Sequence, residues 1–483
     1  MRSALEKQIL LPNFASKSRT QEKMTLIKSI SGIRGTIGGI VSESLTPIDI
    51  VKFSAAYAEW LKGQNPNKKC KVAVGRDARI SGEMVSNIVI GTLMGCGIDV
   101  INLGLATTPT VEMAVTGMEA DGGLILTASH NPRQWNALKL LNGKGEFLSD
   151  EHGRKVLDIA EKGTFTFPEI DHIGDLIDEY SYIDEHINKI VELDLVDCNA
   201  IAKANFKVAI DCVNSVGGIV LPRLLNVLGV KDIVELYTDP TGEFPHNPEP
   251  LPEHLGDISK AMVEHKADVG FVVDPDVDRL AIVNEDGTMF GEEYTLVAVA
   301  DYVLSIKNGN TVSNFSSTAA LRDITHKYGK EYYASAVGEV NVVTKMKEVN
   351  AIIGGEGNGG VILPELHYGR DSLVGIALFL SHLAKKKMKC SELRKSYPDY
   401  HISKNKIELK SGINPDNILK VLAEEFKNYP LNLEDGLRID LEEGWVHMRK
   451  SNTEPIIRIY AESKSPLKAD ELAKRMMEKI KNI

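Results

Sequence analysis

Three repeats of one local pattern constrain the fold of this chain more than any other feature. Each repeat is a short strand-like run containing β-branched residues, then a polar turn, then a helical pattern, at residues 71–93, 207–228 and 311–328. Strands that alternate with helices in this way are typical of βαβ units in parallel or mixed sheets. The recurrence therefore predicts an α/β fold with three similar mixed-sheet domains.

The end of the chain follows a different pattern. Strand-like runs at 406–410, 445–448 and 456–461 alternate with a helical pattern at 415–429, and a second helical pattern closes the chain. This order indicates a smaller C-terminal α+β domain, and 483 residues are enough for four domains. The predicted divisions are an N-terminal extension at 1–23 and domains at 24–190, 191–295, 296–402 and 403–483.

Composition excludes several classes of function. Lys and Arg number 56 against 67 Asp and Glu, and a net charge of −11 argues against a nucleic-acid or membrane-surface partner. The five cysteines are scattered and form no CxxC pair, which favours a reducing, cytoplasmic setting. The most apolar stretch, 374–383, is about half the ~20 residues that span a bilayer, so it indicates a buried helix.

Residues 1–23 carry five basic and two acidic side chains ahead of Met24. This composition is compatible with a weak transit peptide, and the preferred interpretation is a loose extension without a role in the fold. Whether the extension belongs to the native protein stays open.

The strongest chemical motif is Asp274-Pro275-Asp276-Val277-Asp278-Arg279, directly after the apolar run 269–273. Proline disfavours helix, so the motif is expected to stay extended and to place its three carboxylates on one side. Converging hard oxygens suit a divalent cation such as Mg²⁺. A calcium-binding loop is excluded because Arg279 stands where that loop needs glycine. A solvated acidic turn is the competing interpretation.

A second motif, TASHNP, contains Ser129 and His130 and follows the strand-like run 123–126. Polar residues just beyond a buried strand lie at the sheet edge where α/β proteins bind ligands, which makes Ser129 a candidate nucleophile. Adjacent side chains of an extended chain point apart, so a hydrolase-type serine–histidine pair is not expected. Taken alone, SHNP is also typical of a side-chain-stabilised turn.

The third motif is the glycine-rich segment 354–360 (GGEGNGG). It is not a dinucleotide-binding loop, because a strand-like run follows it where such a loop needs a helix. Gly355 permits close backbone approach, while Glu356 and Asn358 offer groups that suit sugar hydroxyls. A hairpin loop without a binding role is the alternative.

The fourth motif lies between two strand-like runs of the C-terminal domain. Hydroxyls and an amide flanked by cations are suited to bind phosphate, and the alternation of the last strand directs Arg458 away from its apolar face. A surface loop with incidental arginines would look similar. The candidate phosphate-binding residues are Arg449, Ser451, Asn452, Thr453 and Arg458.

The four motifs, in this order, resemble the α-D-phosphohexomutase superfamily, which includes phosphoglucomutases, phosphomannomutases and phosphoglucosamine mutases. The resemblance covers nearly everything after Met24. It implies a central cleft between the four domains, a phosphoserine at Ser129, and Mg²⁺ held by Ser129, Asp274, Asp276 and Asp278. In chain order it implies a phosphoserine, a metal-binding, a sugar-recognition and a C-terminal phosphate-binding domain. By the same resemblance the further catalytic residues are Arg34, His130, Lys139 and Arg279.

The resemblance also implies a reaction. Ser129 would transfer its phosphate to a hexose 1- or 6-phosphate, with a hexose 1,6-bisphosphate as primer and intermediate. Glu339 stands where several glucose and mannose enzymes have histidine, and our hypothesis is that it favours the 2-ammonium group of glucosamine phosphate. Phosphomannomutase or phosphoglucomutase activity remains the alternative. A non-catalytic sugar-phosphate binder and a phosphatase are further candidates, and the sequence indicates neither the general base nor the oligomeric state.

Overall fold

The computed structural model describes residues 24–29, 32–409, 414–450 and 456–483, and these residues form four β-sheets with flanking helices. The first sheet has the order β1-β2-β6-β5-β3-β4-β7 and is mixed, because β3 pairs in parallel with β4 and β5 while β6 runs antiparallel to β5. Its elements are β1 (Ile27–Ser29), β2 (Gly32–Thr36), α1 (Pro47–Gln64), β3 (Lys71–Arg76), α2 (Gly82–Gly95), β4 (Asp99–Leu105), α3 (Thr108–Gly117), β5 (Gly122–Leu126), β6 (Trp135–Leu141), α4 (Asp150–Lys162) and β7 (Leu176–Asp178).

Two helices, α5 (Tyr182–Val191) and α6 (Cys198–Ala204), lead into the second sheet. This sheet has the order β11-β10-β8-β9, with β10 and β11 antiparallel and the other pairs parallel. Its elements are β8 (Lys207–Asp211), α7 (Gly217–Val227), β9 (Asp232–Leu236), α8 (Gly256–His265), β10 (Val269–Val273) and β11 (Leu280–Asn284).

The third sheet has the order β13-β12-β14-β15, again with one antiparallel pair at the edge. One face of this sheet shares an apolar core with the second sheet, its other face has a smaller core of its own, and α12 is buried along most of its length. The elements are α9 (Glu292–Ile306), β12 (Asn310–Asn314), α10 (Ala320–Lys327), β13 (Tyr332–Ser335), α11 (Glu339–Glu348), β14 (Ala351–Glu356), β15 (Gly360–Ile362), α12 (Ser372–Lys386) and α13 (Cys390–Lys395).

The last sheet is antiparallel throughout, with the order β16-β20-β19-β18-β17, and it has an apolar core of its own. The predicted α/β fold with three mixed-sheet units and a smaller α+β unit is therefore confirmed. No helix in the described ranges combines the length and the apolar character needed to cross a bilayer. The elements are β16 (His401–Glu408), α14 (Pro415–Glu425), β17 (Leu431–Asn432), β18 (Leu437–Leu441), β19 (Gly444–Lys450), β20 (Ile456–Ser463) and α15 (Pro466–Lys481).

Candidate active site

Loops that follow buried strands of the first three sheets meet at one place. The backbone N–H of Thr108, at the start of α3, donates to the carbonyl of Asp276 (2.9 Å) in the loop after β10. The N–H of Leu280, which ends that loop, donates to the carbonyl of Gly359 (3.2 Å) between β14 and β15. The sheets thus present their loop ends to a shared site, as α/β proteins generally do.

Asp274, Asp276 and Asp278, called here the aspartate triad, are fully buried, and one carboxylate oxygen of each lies within 4.8 Å of the others. The predicted extended conformation is wrong. The N–H of Val277 donates to the carbonyl of Asp274 (3.1 Å), and Val277 has φ +62°, a conformation that costs a β-branched residue free energy. A turn, and not the alternation of a strand, brings the three carboxylates together.

The aspartate triad fits a divalent cation. Within the described part of the chain, Asp276 Oδ1 and Asp278 Oδ1 are buried and have no hydrogen-bond partner. Burial and the neighbouring carboxylates, first that of Asp276, raise the pKa of Asp274 well above its usual value. Buried carboxylate oxygens without partners are costly unless a cation or a proton compensates them, and oxygen ligands are those that Mg²⁺ prefers.

Ser129 points into the aspartate triad. Its backbone has φ +49°, and its hydroxyl donates to Asp274 Oδ2 at 2.7 Å. The same left-handed conformation brings His130 Nδ1 to 3.3 Å from Ser129 Oγ, so the expectation that adjacent side chains point apart is wrong. The buried Arg79 guanidinium holds the conformation by donating to the Ser129 carbonyl. A serine hydroxyl, three buried carboxylates and an imidazole therefore meet at one position.

Two of the predicted catalytic cations lie around this position. Lys139 Nζ is 2.7 Å from Asp276 Oδ2 and 3.6 Å from Asp278 Oδ2. Burial alone would lower the pKa of Lys139, but these carboxylates outweigh it and raise the pKa. Arg279 Nη1 lies 3.3 Å from Glu249 Oε1, and burial together with this guanidinium lowers the pKa of His130 well below its usual value. This shift favours the neutral form of the His130 imidazole.

Arg34, on β2, is close to the last sheet. Burial and the charge of Arg458 lower the pKa of Arg34, and the Arg34 Nε has no hydrogen-bond partner among the described residues. Arg458 on β20 is exposed and lies opposite Arg449 on β19, whose Nε is 3.2 Å from Asp435 Oδ2. The charge of Arg458 in the last unit thus acts on Arg34 in the first unit. The predicted phosphate-binding residues Ser451, Asn452 and Thr453 lie outside the described residues.

The glycine-rich segment forms a tight hairpin between β14 and β15. A Cβ on Gly355 would lie 2.0 Å from the carbonyl oxygen of Gly360, so only glycine fits there. Asn358 Oδ1 accepts from the Gly360 N–H (3.2 Å), which uses part of this amide to hold the hairpin. Glu356 Oε1 accepts from Asn314 Nδ2 at 2.9 Å, which fixes its carboxylate at the end of β14.

Sequence reasoning missed Arg370. This guanidinium is 9% exposed and donates to Asp278 Oδ2 (2.7 Å), Glu339 Oε2 (3.0 Å) and Glu356 Oε2 (3.2 Å). It connects the aspartate triad with both acidic residues predicted to bind the sugar. The signal in the sequence was Arg370 itself, which stands between Gly369 and Asp371 just before a long apolar run. The motif loops elsewhere in the chain carry several carboxylates with which such a cation can pair.

Comparison with known proteins gives one family along the whole chain. The phosphoglucomutase/phosphomannomutase family matches as α/β/α domain I at 27–167, α/β/α domain II at 184–287, α/β/α domain III at 291–400 and the C-terminal domain at 406–479.

Individual relatives agree. A phosphoglucomutase/phosphomannomutase from Thermococcus kodakarensis is 37% identical over 443 residues, which cover 90% of this chain and 96% of that protein. A probable phosphoglucosamine mutase from Methanopyrus kandleri is 32% identical over 445 residues, covering 92% of this chain and 95% of the relative. The crystal structure of a phosphoglucomutase/phosphomannomutase family protein from Burkholderia thailandensis has a TM-score of 0.81 at 25% identity, covering 95% of this chain and 97% of that one. The similarity therefore extends over all four sheets.

Proposed function

The chain belongs to the phosphoglucomutase/phosphomannomutase family, and on that premise we propose that Ser129 carries the phosphate that it exchanges with hexose phosphates. Its activity is that of a phosphohexomutase, an isomerase of carbohydrate metabolism. The observation that carries the proposal is the 2.7 Å contact between Ser129 Oγ and the aspartate triad.

The proposed reaction has two transfers. A free hydroxyl of hexose 1- or 6-phosphate attacks the phosphorus on Ser129, the bond to Oγ breaks, and the proton lost by the sugar hydroxyl is taken up by the released Ser129 Oγ. The sugar then carries two phosphates. It reorients, Ser129 Oγ attacks the other phosphorus, and the released sugar oxygen regains a proton. A hexose 1,6-bisphosphate would prime the unphosphorylated enzyme.

Mg²⁺ is the cofactor that we propose for the aspartate triad, with the phosphate on Ser129 as a further ligand. When bound, it supplies positive charge that neutralises the phosphoryl oxygens. Lys139, Arg279 and Arg34 add fixed positive charge around the same position, and such preorganised charge is most of what phosphoryl transfer requires. The neutral His130 can accept or donate a hydrogen bond near Oγ without adding a net charge.

For the phosphate that does not react, we propose the loop of the last sheet. Arg449 and Arg458 are the described members of this group, and Ser451, Asn452 and Thr453 are the remaining ones. The charge of Arg458 lowers the pKa of Arg34 in the first unit, and we propose that phosphate bound near both cations relieves their repulsion and favours closure of the cleft.

Glucosamine phosphate is the substrate that we propose. Glu339 and Glu356 are nearly buried beside the glycine-rich hairpin, with Arg370 as a shared cation. Two carboxylates and one guanidinium leave a net negative charge, which favours an ammonium group on the sugar. Gly355 and Asn358 complete the proposed sugar-binding surface. The Methanopyrus relative named as a probable phosphoglucosamine mutase supports this choice.

The second candidate is glucose or mannose phosphate, because the Thermococcus relative named as a phosphoglucomutase/phosphomannomutase has the higher identity. Initial rates on glucosamine, glucose and mannose 1-phosphate, each with its matching bisphosphate, test both. We expect Glu339→Gln to lower kcat/KM for glucosamine phosphate by about tenfold or more, the equivalent of one charge-assisted hydrogen bond, with little change for glucose phosphate. An equal loss for both sugars would contradict the ammonium contact.

A phosphate on Ser129 is the direct test of the mechanism. Mass spectrometry after incubation with bisphosphate should locate it there, and Ser129→Ala should bind substrate without turnover. Phosphate release without isomer formation would favour a phosphatase instead. The buried or half-buried free cysteines support our proposal that the enzyme is cytoplasmic. We propose small hexose phosphates as its partners, and the net charge of −11 argues against nucleic acid and membrane surfaces.

A further inference from the structure

A second cluster of titratable residues lies beside Arg370, outside the aspartate triad. It consists of His186 on α5 and of His367 and Asp371, which lie between β15 and α12; these three are called here the histidine cluster. His186 and Asp371 are fully buried, and the His367 side chain is 11% exposed. The proposed reaction uses none of them.

We propose that the histidine cluster binds a second metal ion, a divalent transition metal of the Zn²⁺ type, that fastens the first unit and α5 to the third unit. Two imidazoles and one carboxylate favour such an ion over Mg²⁺, which prefers oxygen ligands throughout. The two metal sites of the chain would therefore select different ions.

The spacing of the ligand atoms suits this ion. Asp371 Oδ2 lies 2.9 Å from His186 Nε2 and 3.3 Å from His367 Nε2, and one ligand atom of each residue lies within 4.8 Å of the others. A tetrahedral Zn²⁺ with ligands at about 2.0–2.1 Å sets those ligands roughly 3.3 Å apart. Asp371 Oδ1 caps α12 by accepting from the Leu373 N–H (2.8 Å), which fixes Oδ2 toward the two rings.

Groups behind the ligands are arranged to orient both imidazoles. His186 Nδ1 is 3.0 Å from Thr110 Oγ1, and Thr110 Oγ1 is 2.6 Å from Thr107 Oγ1, so a ring N–H can donate outward through the two hydroxyls. His367 Nδ1 is 3.4 Å from Glu112 Oε2. An outward N–H on each ring leaves both Nε2 lone pairs facing Asp371, and partners of this kind are usual for metal-bound histidines.

Glu112 is the observation that a simple packing role explains least. It is 2% exposed, and among the described residues its carboxylate meets no hydrogen bond of good geometry, with His367 Nδ1 at 3.4 Å from Oε2 as its ion-pair partner. The missing side chain of Gly369 makes room for it, since a Cβ there would lie 1.7 Å from Glu112 Oε2. A buried carboxylate aimed at the back of His367 strengthens that ring as a ligand.

A network that holds protons alone is the competing account. Burial would lower the pKa of His367, but Asp371 and then Glu112 raise it, while burial raises the pKa of Glu112 to about 8, so without a metal these residues share protons through one network. Binding of Zn²⁺ would then displace a proton from that network, and affinity would rise with pH.

The experiment uses the full-length enzyme, stripped with a chelator and dialysed against Zn²⁺ with excess Mg²⁺ to occupy the aspartate triad. We expect one Zn²⁺ per chain to remain by elemental mass spectrometry, and Co²⁺ in its place to give the strong visible bands of four-coordination. The proposal would be overturned if no Zn²⁺ were retained, or if Co²⁺ gave only the weak visible bands of an ion with six oxygen ligands. Because this measurement uses the unmodified protein, misfolding of a variant cannot explain a negative result.

Variants test the assignment. His367→Gln should abolish the retained ion, and Glu112→Gln, behind the ligands, should weaken binding by about 10–100-fold. Two controls should keep it: Asp276→Asn in the aspartate triad, and His382→Gln, whose Nε2 lies 3.4 Å from Asp301 in another buried pair. Retention in His367→Gln, or loss in His382→Gln, would overturn the site. Phosphoserine formation on Ser129 is independent of this result.

Discussion

Replacing Arg370 by methionine tests whether one buried cation holds the site together. The substitution keeps an unbranched apolar stem and removes three donors, those to Asp278, Glu339 and Glu356. It leaves three carboxylates close together without their shared cation. We expect lower stability and a changed response to Mg²⁺.

The size of the loss follows from the contacts. Three charge-assisted hydrogen bonds at about 1.5–3 kcal/mol each would sum to roughly 5–9 kcal/mol if they were independent. They share one guanidinium, whose own desolvation cost disappears with it, so the value measured for breaking a buried ion pair, about 3–5 kcal/mol, is the better expectation. We therefore expect the free energy of unfolding to fall by that amount in chelator.

Mg²⁺ should restore part of this loss. Without the guanidinium 2.7 Å from Asp278, the aspartate triad is more negative and binds the cation more tightly. A tenfold gain in affinity returns about 1.4 kcal/mol at saturating Mg²⁺. Binding that weakens in the variant would contradict this electrostatic reasoning.

The assay is urea unfolding with chelator and with saturating Mg²⁺. Arg438→Met is the matched control, because Arg438 is similarly buried at 11% side-chain exposure and pairs with Asp440 at 3.1 Å in the last sheet. Its loss should be the same with and without Mg²⁺. A loss below about 1 kcal/mol for Arg370→Met, or one indifferent to Mg²⁺, would refute the role assigned to this residue.

Three further predictions concern single residues. Lys139→Met should lower the rate of phosphate transfer from Ser129 by about 10²–10³-fold in single-turnover assays, because it removes a preorganised positive charge. A variant with a changed KM and an unchanged transfer rate would argue against this role for Lys139. Gly355→Ala should destabilise the protein by about 1–3 kcal/mol in urea unfolding because the hairpin backbone must move, whereas Gly63→Ala, with open space around it, should be neutral or stabilising. Burial raises the pKa of Glu293 to about 8, so the stability contributed by its protonated side chain is complete below pH 4.5 and is lost as pH rises through 8, by up to about 5 kcal/mol. Glu293→Gln should therefore make the free energy of unfolding depend less on pH between pH 5 and 8. A difference in that free energy between variant and wild type that stays the same at every pH would contradict the prediction.

The sequence predicted the sheets well because their signals are local. The buried run Val269–Val273 and the strand–turn–helix units depend on hydrophobic periodicity and turn residues within about a dozen positions. The backbone conformation of the loops was harder to predict from the sequence. Val277 and Ser129 take left-handed backbone angles that their residue types disfavour, and contacts with distant segments hold them there.

Arg370 was missed for a related reason. Its partners lie 14, 31 and 92 positions away, and no spacing rule connects an arginine with carboxylates on separate loops. The motif residues around Ser129 and the aspartate triad could be predicted because the residues of each motif are close together in the sequence. The roles of the candidate site residues stay predictions until the variants are measured.

The turn that brings the aspartate triad together bears on whether the second unit could be transferred to another protein by itself. Its strained residue, Val277, is held from outside the second unit: the Ser372 N–H donates to its carbonyl (3.3 Å), and Thr108 of the first unit donates to Asp276 through Oγ1 (2.6 Å). The unit that supplies all three aspartates therefore contains only part of the contacts that position them, such as the Ser215 hydroxyl that donates to the Pro275 carbonyl (2.7 Å). A transplanted copy of this unit would lose the contacts from Ser372 and Thr108, so we expect it to keep its fold more readily than the arrangement of its three carboxylates.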